Sequence, residues 1–173
     1  MLQHFKNPRQ YRPTVTDRPD YADLIENGVG FEMDDQGRDW YDVREMFQEN
    51  TFKVVYSQDG TVFQCEKDVN ELCPNGMAGV VELEEVPDGL RRDTNNQYRF
   101  DGSKVVPNPL HYQALKEHLL KTAGEKISMY RDFEELGEDV SAILKEWRAY
   151  RLAVYNVDLS ELDNIKWPKK PTE

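Results

Sequence analysis

The sequence has few of the residues that metal sites and disulfide scaffolds need. It contains only 2 cysteines, Cys65 and Cys73, and 3 histidines among 173 residues. Two cysteines alone cannot supply the four ligands of a structural zinc site. A disulfide between them is one alternative, and two reduced, half-buried thiols are the other, which a cytosolic protein favours. We expect neither a metal nor a cofactor.

Long apolar runs are also missing. No run of apolar residues approaches the ~20 residues that a membrane-spanning helix requires. The first residues, 1–6, include no apolar core of the kind that defines a signal peptide. We therefore expect a soluble protein that is present in the cytoplasm when it is made, with no membrane insertion.

Basic residues are outnumbered by acidic ones. The chain has 22 Lys and Arg against 33 Asp and Glu, a net charge of -11. Phosphate binding needs Lys and Arg to displace counterions, so nucleic acid is an unfavourable partner. The balance is 12 − 21 = −9 over residues 1–108 and 10 − 12 = −2 over residues 109–173. The acidic part either keeps the protein dispersed or meets a basic patch on a partner.

The motifs of the common enzyme classes are not found. His111 and His118 lie seven residues apart, which is too far for the i, i+4 pair of a helical zinc site. Adjacent carboxylates such as Glu84 and Glu85 are expected from composition alone in a chain with 33 acidic residues. We predict a protein that is not an enzyme. Two alternatives remain: an acidic inhibitor or immunity-type protein with its hot spots in 17–45, and a carboxylate-based glycan hydrolase.

The first two thirds of the sequence carry β signals. We predict loosely ordered chain over 1–30, with short strands as its content, as around Gly30–Met33. The strongest local signal is a hairpin, because Thr51–Tyr56 and Thr61–Glu66 are rich in β-branched and aromatic residues and flank an Asp-Gly turn. The remaining predicted strands are Ala78–Val86 and a small hairpin of Gln97–Phe100 and Lys104–Val106.

After Pro107 the apolar period changes to that of helices. Asn108 can cap a helix that has Pro109 at its first position. Its apolar face comprises Tyr112, Leu115, Leu119, Ala123, Ile127 and Tyr130. Gly137 marks the turn to a second helix, for which we predict Glu138 and Asp139 in the first turn. The stripe of this second helix serves either core packing or self-association: Val140, Ile143, Leu144, Trp147, Tyr150 and Val154.

The predicted fold class is α+β. A small antiparallel β domain over 31–106 follows the N-terminal segment 1–30. An αα-hairpin with an extended, proline-containing tail makes up 107–173, because prolines prevent a helix at the end of the chain.

Several motifs recur in one order along the chain. Asp35–Tyr41 followed by Phe47 fits D-x-x-x-x-W-Y-x-x-x-x-x-F, and Lys53–Gly60 is similar to K-I-V-Y-D-x-x-G. Asp68–Gly76 is similar to D-x-S-x-L-x-P-x-G. Four short matches complete the order: Glu85–Asp88, Arg91-Arg92, Phe100–Gly102 and the ending W-x-x-Y-R…V-D…W-P-x-x-P over 147–171. In this order the motifs resemble the tail-fibre assembly protein family of phages such as Mu and of many enterobacterial prophages.

The resemblance implies a chaperone needed for a phage tail fibre to fold and trimerise. Such a protein would bind the distal, receptor-binding tip of the fibre in the host cytoplasm, and some members stay on the virion. It would have one part that contacts the fibre and another that supports homo-oligomers, and a tip-bound protein could also meet a bacterial surface glycan. We expect the β region to bind the fibre by strand pairing or aromatic contacts, with these contact residues: Trp40, Tyr41, Phe47, Tyr56, Phe63, Arg91 and Arg92.

Overall fold

The structure, a computed structural model, describes residues 2–72, 78–90 and 96–172. The chain divides into two compact units, Met1–Val106 and Pro107–Glu173. The first unit contains antiparallel sheets and the second contains two long helices, which confirms the predicted α+β class. The predicted division into a loosely ordered segment 1–30, a β domain 31–106 and a helical domain 107–173 stays a prediction.

The strands of the described residues form three sheets. They are β1 (His4–Lys6), β2 (Arg9–Tyr11), β3 (Phe31–Met33), β4 (Phe52–Tyr56), β5 (Val62–Glu66), β6 (Gly79–Leu83), β7 (Tyr98–Phe100) and β8 (Val105–Pro107). The largest sheet has four strands in the order β1-β6-β4-β5, and all its neighbours are antiparallel. Strand β2 pairs with β3, and β7 with β8. The first unit, Met1–Val106, which we call the β-unit, thus depends on strand pairings between distant parts of the chain.

The four-stranded sheet is buried on both faces. Val54 points to one face, where Cys65, Val81 and Phe100 belong to the same apolar cluster. Its neighbour Val55 points to the other face, with Phe5, Val80 and Trp40 as cluster partners. Successive side chains of a strand point to opposite sides, so two adjacent valines of one strand can belong to two different apolar cores. Central strand β4 therefore holds the β-unit together.

The predicted hairpin is confirmed as β4 and β5. Its turn, Ser57–Gly60, is closed by a hydrogen bond of 2.8 Å from the Gly60 amide to the Ser57 carbonyl. Gly60 has φ +87, and a Cβ atom there would lie 2.5 Å from the Phe100 carbonyl oxygen. Only glycine fits both requirements. The small hairpin of β7 and β8 is confirmed as well, whereas the third strand, β6, is shorter than the predicted Ala78–Val86.

The first thirty residues contribute β1 and β2 and a short helix, α1 (Ala22–Glu26). Strand β1 pairs with β6 in the register Phe5↔Val80, and Phe5 is fully buried. A Cβ atom at Gly79 would lie 2.4 Å from the Phe5 carbonyl oxygen, so this glycine permits the close approach of the two strands. The start of the chain is thus an edge strand of the main sheet.

Two long helices form the second unit: α3 (Pro109–Glu135) and α4 (Ser141–Tyr155), numbered after α1 and the short α2 (Trp40–Val43). Asn108 caps α3 as predicted, since its Oδ1 accepts a hydrogen bond of 3.2 Å from the Leu110 amide. The turn contains Gly137 at φ +91. The prediction of Glu138 and Asp139 in the first turn of α4 is wrong, because the helix begins two residues later and its first turn has no acidic residue.

The αα-hairpin has its own apolar core. The buried residues are Ala123 and Ile127 of α3 and Leu144, Trp147, Tyr150 and Val154 of α4. Trp167 of the tail packs against this core, and the Lys170 ammonium lies 5.8 Å from the centre of the Trp147 ring. Within the described residues, no helix is both long and apolar enough to cross a membrane.

Candidate protein-binding surface

Trp40, one of the predicted contact residues, lies in the core of the β-unit, and Phe47, another, is half-buried and packs against that core. Asp39 caps α2 by accepting a hydrogen bond of 2.7 Å from the Tyr41 amide, and Trp40 is the first residue of this helix. Trp40 is 8% exposed, and its ring centre lies 5.2 Å from that of Phe5 and 6.1 Å from that of Phe47. The structure gives Trp40 a packing role, and its contact with a partner stays a prediction.

Tyr41 belongs to a cluster of four aromatic rings. Its ring centre lies 5.0 Å from that of Phe31 and 5.4 Å from that of Tyr21, and Tyr11 packs on Phe31 at 6.0 Å. Tilted and edge-on arrangements at these distances are favourable for aromatic pairs. The cluster joins the first thirty residues to α2, and it places Tyr41 at a half-buried position.

A polar network closes over this aromatic cluster. The Arg18 guanidinium donates to Asp42 at 2.7 Å and stacks on the Tyr21 ring at 4.4 Å. The Tyr11 hydroxyl donates to Asp39 at 2.6 Å. Burial, with this carboxylate beside it, raises the pKa of Tyr11 to about 12. A cavity of about 670 Å³ lies next to the network, and Tyr11, Arg18 and Asp42 are among the residues that line it.

Tyr56 is also a core residue. It is 7% exposed, its hydroxyl lies 2.6 Å from Nε2 of His4, and its ring packs on Phe100 at 5.0 Å. Burial raises the pKa of Tyr56, and burial also lowers the pKa of His4. Both groups are therefore held in their neutral forms near neutral pH. Contact of Tyr56 with a fibre stays a prediction.

Phe63 differs from the other predicted contact residues that the structure describes, because it is the one with an exposed side chain. The register of the hairpin passes from Val55↔Gln64 to Tyr56↔Val62, so Phe63 is an extra residue without a partner on β4. Such a bulge turns a side chain away from the regular alternation of the strand. Phe63 is 42% exposed, and it lies on β5, which is an edge of the four-stranded sheet.

Strand β5 has no second strand partner over most of its length among the described residues. The Phe100 amide donates to the Gly60 carbonyl at 2.7 Å, and a bridge joins Thr61 to Arg99, so the residues just before β5 are covered. From Phe63 to Glu66, no strand of the described part of the chain pairs with β5 on the side away from β4. The edge and its exposed phenylalanine together form a surface that can receive another strand.

Three residues of interest lie outside the described residues: Arg91, Arg92 and Cys73. The role of the two arginines in fibre binding stays a prediction. Cys65 has a free thiol, and the residue is buried, with 5% of its surface exposed. Burial raises its pKa to about 12, so the thiolate is scarce at neutral pH and the group has little nucleophilic reactivity.

Two buried residues of opposite charge lie on the two inner strands of the four-stranded sheet. They were not predicted from the sequence. Lys53 of β4 and Glu82 of β6 are cross-strand neighbours, and each is 1% exposed. The Lys53 ammonium donates to the carbonyls of Gln48, Thr51 and Lys67. These three bonds satisfy the donors of the buried ammonium, as buried polar groups require. A lysine in the middle of an apolar strand was the only signal in the sequence.

The Glu82 carboxylate completes this network. It accepts from the Gln48 amide at 2.6 Å, the Thr51 hydroxyl at 2.6 Å and the Gln3 amide at 2.7 Å. The two charged residues therefore fasten the segment before β4 and the start of the chain to the centre of the sheet. Their hydrogen-bonding groups are occupied by the fold, which indicates a structural role.

The predicted stripe of the second helix faces the hairpin core. Leu144, Trp147, Tyr150 and Val154 are buried against α3, and Ile143 packs beside them. Val140 is half-buried at the residue before α4. Buried side chains are not available to a second chain, and a role for this stripe in self-association stays a prediction.

The side chains of the described residues do not converge for metal chemistry. Within 2–72, 78–90 and 96–172, no three His, Cys, Asp or Glu residues are close enough to hold a metal ion. The geometry with the clearest capacity for an interaction is β5, an edge strand of the four-stranded sheet that carries an exposed apolar ring.

Sequence comparisons give the identity of the family. The model of the family described as "Caudovirales tail fibre assembly protein, lambda gpK" matches residues 42–172. The chain is 25% identical over 180 residues to tail fiber assembly protein U′ of Escherichia phage Mu, across 98% of this chain and 99% of the relative. It is 26% identical over 181 residues to tail fiber assembly protein U of the same phage, again across 98% and 99%.

A third relative is matched over the same share of both chains. Tail fiber assembly protein U′ of Escherichia phage P1 is 26% identical over 180 residues, which cover 98% of this chain and 99% of the relative. The family model covers well over half of the chain, and the resemblance drawn from the ordered motifs is confirmed. The chain belongs to the family of Caudovirales tail fibre assembly proteins.

Proposed function

We propose that this protein is a chaperone that binds the distal, receptor-binding tip of a phage tail fibre while the fibre folds and trimerises. Its family and the names of its relatives support a role in fibre assembly in the host cell. A trimer with long-range contacts forms slowly, and its strands have unpaired edges until it is complete. A protein that covers such an edge lowers the risk of aggregation.

The observation that carries the proposal is the open edge of β5. The exposed Phe63 ring lies next to backbone groups that no described strand covers. Strand addition obtains affinity from main-chain hydrogen bonds and specificity from side chains beside the edge. We assign Phe63 as the apolar contact and β5 as the strand that pairs with an unfinished fibre strand.

The stoichiometry follows from symmetry. A trimeric fibre offers three equivalent sites, so up to three copies bind to one tip. We also propose that the copies remain at the fibre tip of the finished virion, with the β-unit still paired to the fibre. The proposed role requires binding alone, with no catalytic step.

Co-expression tests the proposal. The tail fibre encoded by the adjacent gene is produced with and without this protein, and its soluble trimer is measured by gel filtration and by the resistance of the trimer to SDS. We expect soluble trimers, with this protein bound, only when both are produced. A fibre that trimerises equally well alone and never co-purifies with this protein contradicts the proposal.

A pair of variants tests the site. Phe63→Asp places a charge beside the edge, and we expect it to lower the trimer yield about fivefold or more, because a buried contact of this size is worth more than about 1 kcal/mol. Met46→Asp is the matched control, since Met46 is 52% exposed in the same unit but does not lie on β5. Equal trimer yields for the two variants would remove Phe63 from the site.

A further inference from the structure

The end of the chain, residues 165–172, contains neither helix nor strand and lies against the helical hairpin. We call this segment the tail. Trp167 packs against the apolar core of the hairpin, and the Lys170 ammonium lies 5.8 Å from the centre of the Trp147 ring. Among the described residues, no hydrogen bond joins the tail to α3 or α4. The tail is therefore held by side-chain contacts.

A cavity of about 460 Å³ lies between the tail and α4. Two small side chains of α4, Ala149 and Ala153, line it from the helix, and Pro168 and Pro171 line it from the tail. Proline has no N–H group, and the backbone groups of a helix interior are already paired. A proline-containing chain can therefore lie against a helix without leaving many donors unpaired. We call the face of α4 that lines this cavity the tail groove.

Two hydrogen-bond donors of α4 beside the tail have no acceptor among the described residues. The indole N–H of Trp147 is fully buried and has no partner. Tyr150 is 5% exposed and lines the cavity, and its hydroxyl makes no hydrogen bond to a described residue. Burial raises the pKa of Tyr150, so the hydroxyl keeps its proton near neutral pH. Because buried polar groups are nearly always hydrogen-bonded, these two donors indicate that the tail fills the groove incompletely.

The charges of the tail groove favour a basic segment. Glu146 of α4 lines the cavity, and the side opposite it includes Lys169 and Lys170 of the tail. Among the described residues, none of these three charged groups forms an ion pair. A carboxylate attracts a cation, and so does the face of an aromatic ring such as that of Trp147. The helix side of the groove therefore offers two sites for cations, and the tail supplies lysines next to them.

We propose that the tail groove is a second client site, which the tail occupies in the free protein and from which a segment of the unfolded fibre chain displaces it. The segment that fits is extended and has an aromatic residue followed within three residues by Lys or Arg, as Trp167 is followed by Lys170. Its acceptors take the hydrogen bonds of the Tyr150 hydroxyl and the Trp147 indole. Until a client arrives, the tail keeps this apolar surface covered. This inference rests on the proposed role in fibre folding.

A synthetic peptide with the sequence of residues 163–173 tests the groove without any fibre. Binding to the isotope-labelled full chain is measured by NMR, from the amide signals of α4. Trp167→Ala removes the apolar contact of the tail, and we expect the peptide to bind this variant about ten times more tightly than the wild type, whose attached tail competes at a high effective concentration. Lys166→Ala, at an exposed tail residue that does not line the cavity, is the matched control and should behave as the wild type.

Short overlapping peptides from the fibre of the adjacent gene test the client. We expect those with an aromatic residue followed by Lys or Arg to displace the peptide of residues 163–173 and to shift the indole proton signal of Trp147 downfield, as a new acceptor does. Tyr150→Phe should weaken these fibre peptides about threefold or more and leave the tail peptide unchanged, because the tail makes no hydrogen bond with this hydroxyl. Tyr155→Phe, on the same helix at 68% exposure, should change neither.

Three results would overturn the proposal in variants that circular dichroism shows to be folded. They are a tail peptide that binds the wild type and Trp167→Ala equally or binds neither, fibre peptides that never displace the tail peptide, and equal effects of Tyr150→Phe and Tyr155→Phe. These measurements use peptides and no trimer, so their failure leaves the fibre-folding role of β5 untouched. A fibre that trimerises equally well without this protein refutes the proposed function even where the tail peptide binds.

Discussion

The buried ammonium of Lys53 provides the sharpest prediction about the fold. Replacing Lys53 with Met keeps an apolar stem of similar length and removes the charge and its three hydrogen bonds. Glu82, which is 1% exposed, then keeps its negative charge without the neighbouring cation. Removing one member of a buried charged pair typically costs about 3–5 kcal/mol. We expect the lower end, about 3 kcal/mol, because the two charged groups make no direct ion pair.

Amide hydrogen exchange of β4 and β6 measures this effect, since exchange of central strands reports the free energy of opening that sheet. Lys6→Met is the matched control. Lys6 is exposed on β1 in the same sheet, and its loss should change the opening free energy by less than about 0.5 kcal/mol. A Lys53→Met protein within about 1 kcal/mol of the wild type would refute the assigned role of the ammonium.

A double-mutant cycle with Glu82→Gln sharpens the test. If the cost comes from an uncompensated carboxylate, then neutralising Glu82 recovers part of the loss caused by Lys53→Met. We expect a coupling of about 1–2 kcal/mol, as for residues of one polar network. Additive losses would mean that Lys53 acts through its three carbonyl partners alone.

Three further predictions concern single groups of the β-unit. Gly60→Ala should destabilise the hairpin by about 2–4 kcal/mol, because it adds left-handed strain and a clash with the Phe100 carbonyl, and urea unfolding measures this loss. In a Cys73→Ser background, Cys65 should react with a thiol reagent at pH 8 only after denaturation, and fast reaction in the native protein would contradict its burial. The pKa of Tyr11 is about 12 in the folded chain against 10.0 in the reference state, so the folded state retains this proton longer. Stability is unaffected below about pH 10 and falls as the pH rises from there to about 12; Tyr11→Phe should flatten this part of the stability profile, and an unchanged profile would refute the assignment.

Local sequence signals predicted the local structure well. The Asp-Gly turn with its flanking strands and the Asn108-Pro109 helix start lie where expected, because each is decided by a few neighbouring residues. The acidic pair Glu138 and Asp139 misled the prediction of the second helix start. The turn is set by Gly137 and its hydrogen bonds, and charge preference at a helix end is too weak to shift it.

Long-range structure could not be predicted from such signals. The pairing of β1 with β6 joins Phe5 to Val80, and no local pattern specifies a partner that far along the chain. The same limit applies to the contact residues. An aromatic side chain such as Trp40 has the same appearance in a sequence whether it is buried or exposed. The exposure of Phe63 depends on the bulge in β5, which the sequence does not show.

We propose that this protein promotes the folding of a tail fibre. Refolding of the purified, denatured fibre chain from the adjacent gene, with and without an excess of this protein, tests it most directly. We expect a large gain in trimer yield with the wild-type protein, a gain largely lost with Phe63→Asp, and up to three copies per trimer by native mass spectrometry. A yield of trimer that does not change when the protein is added would contradict the proposed role in fibre folding.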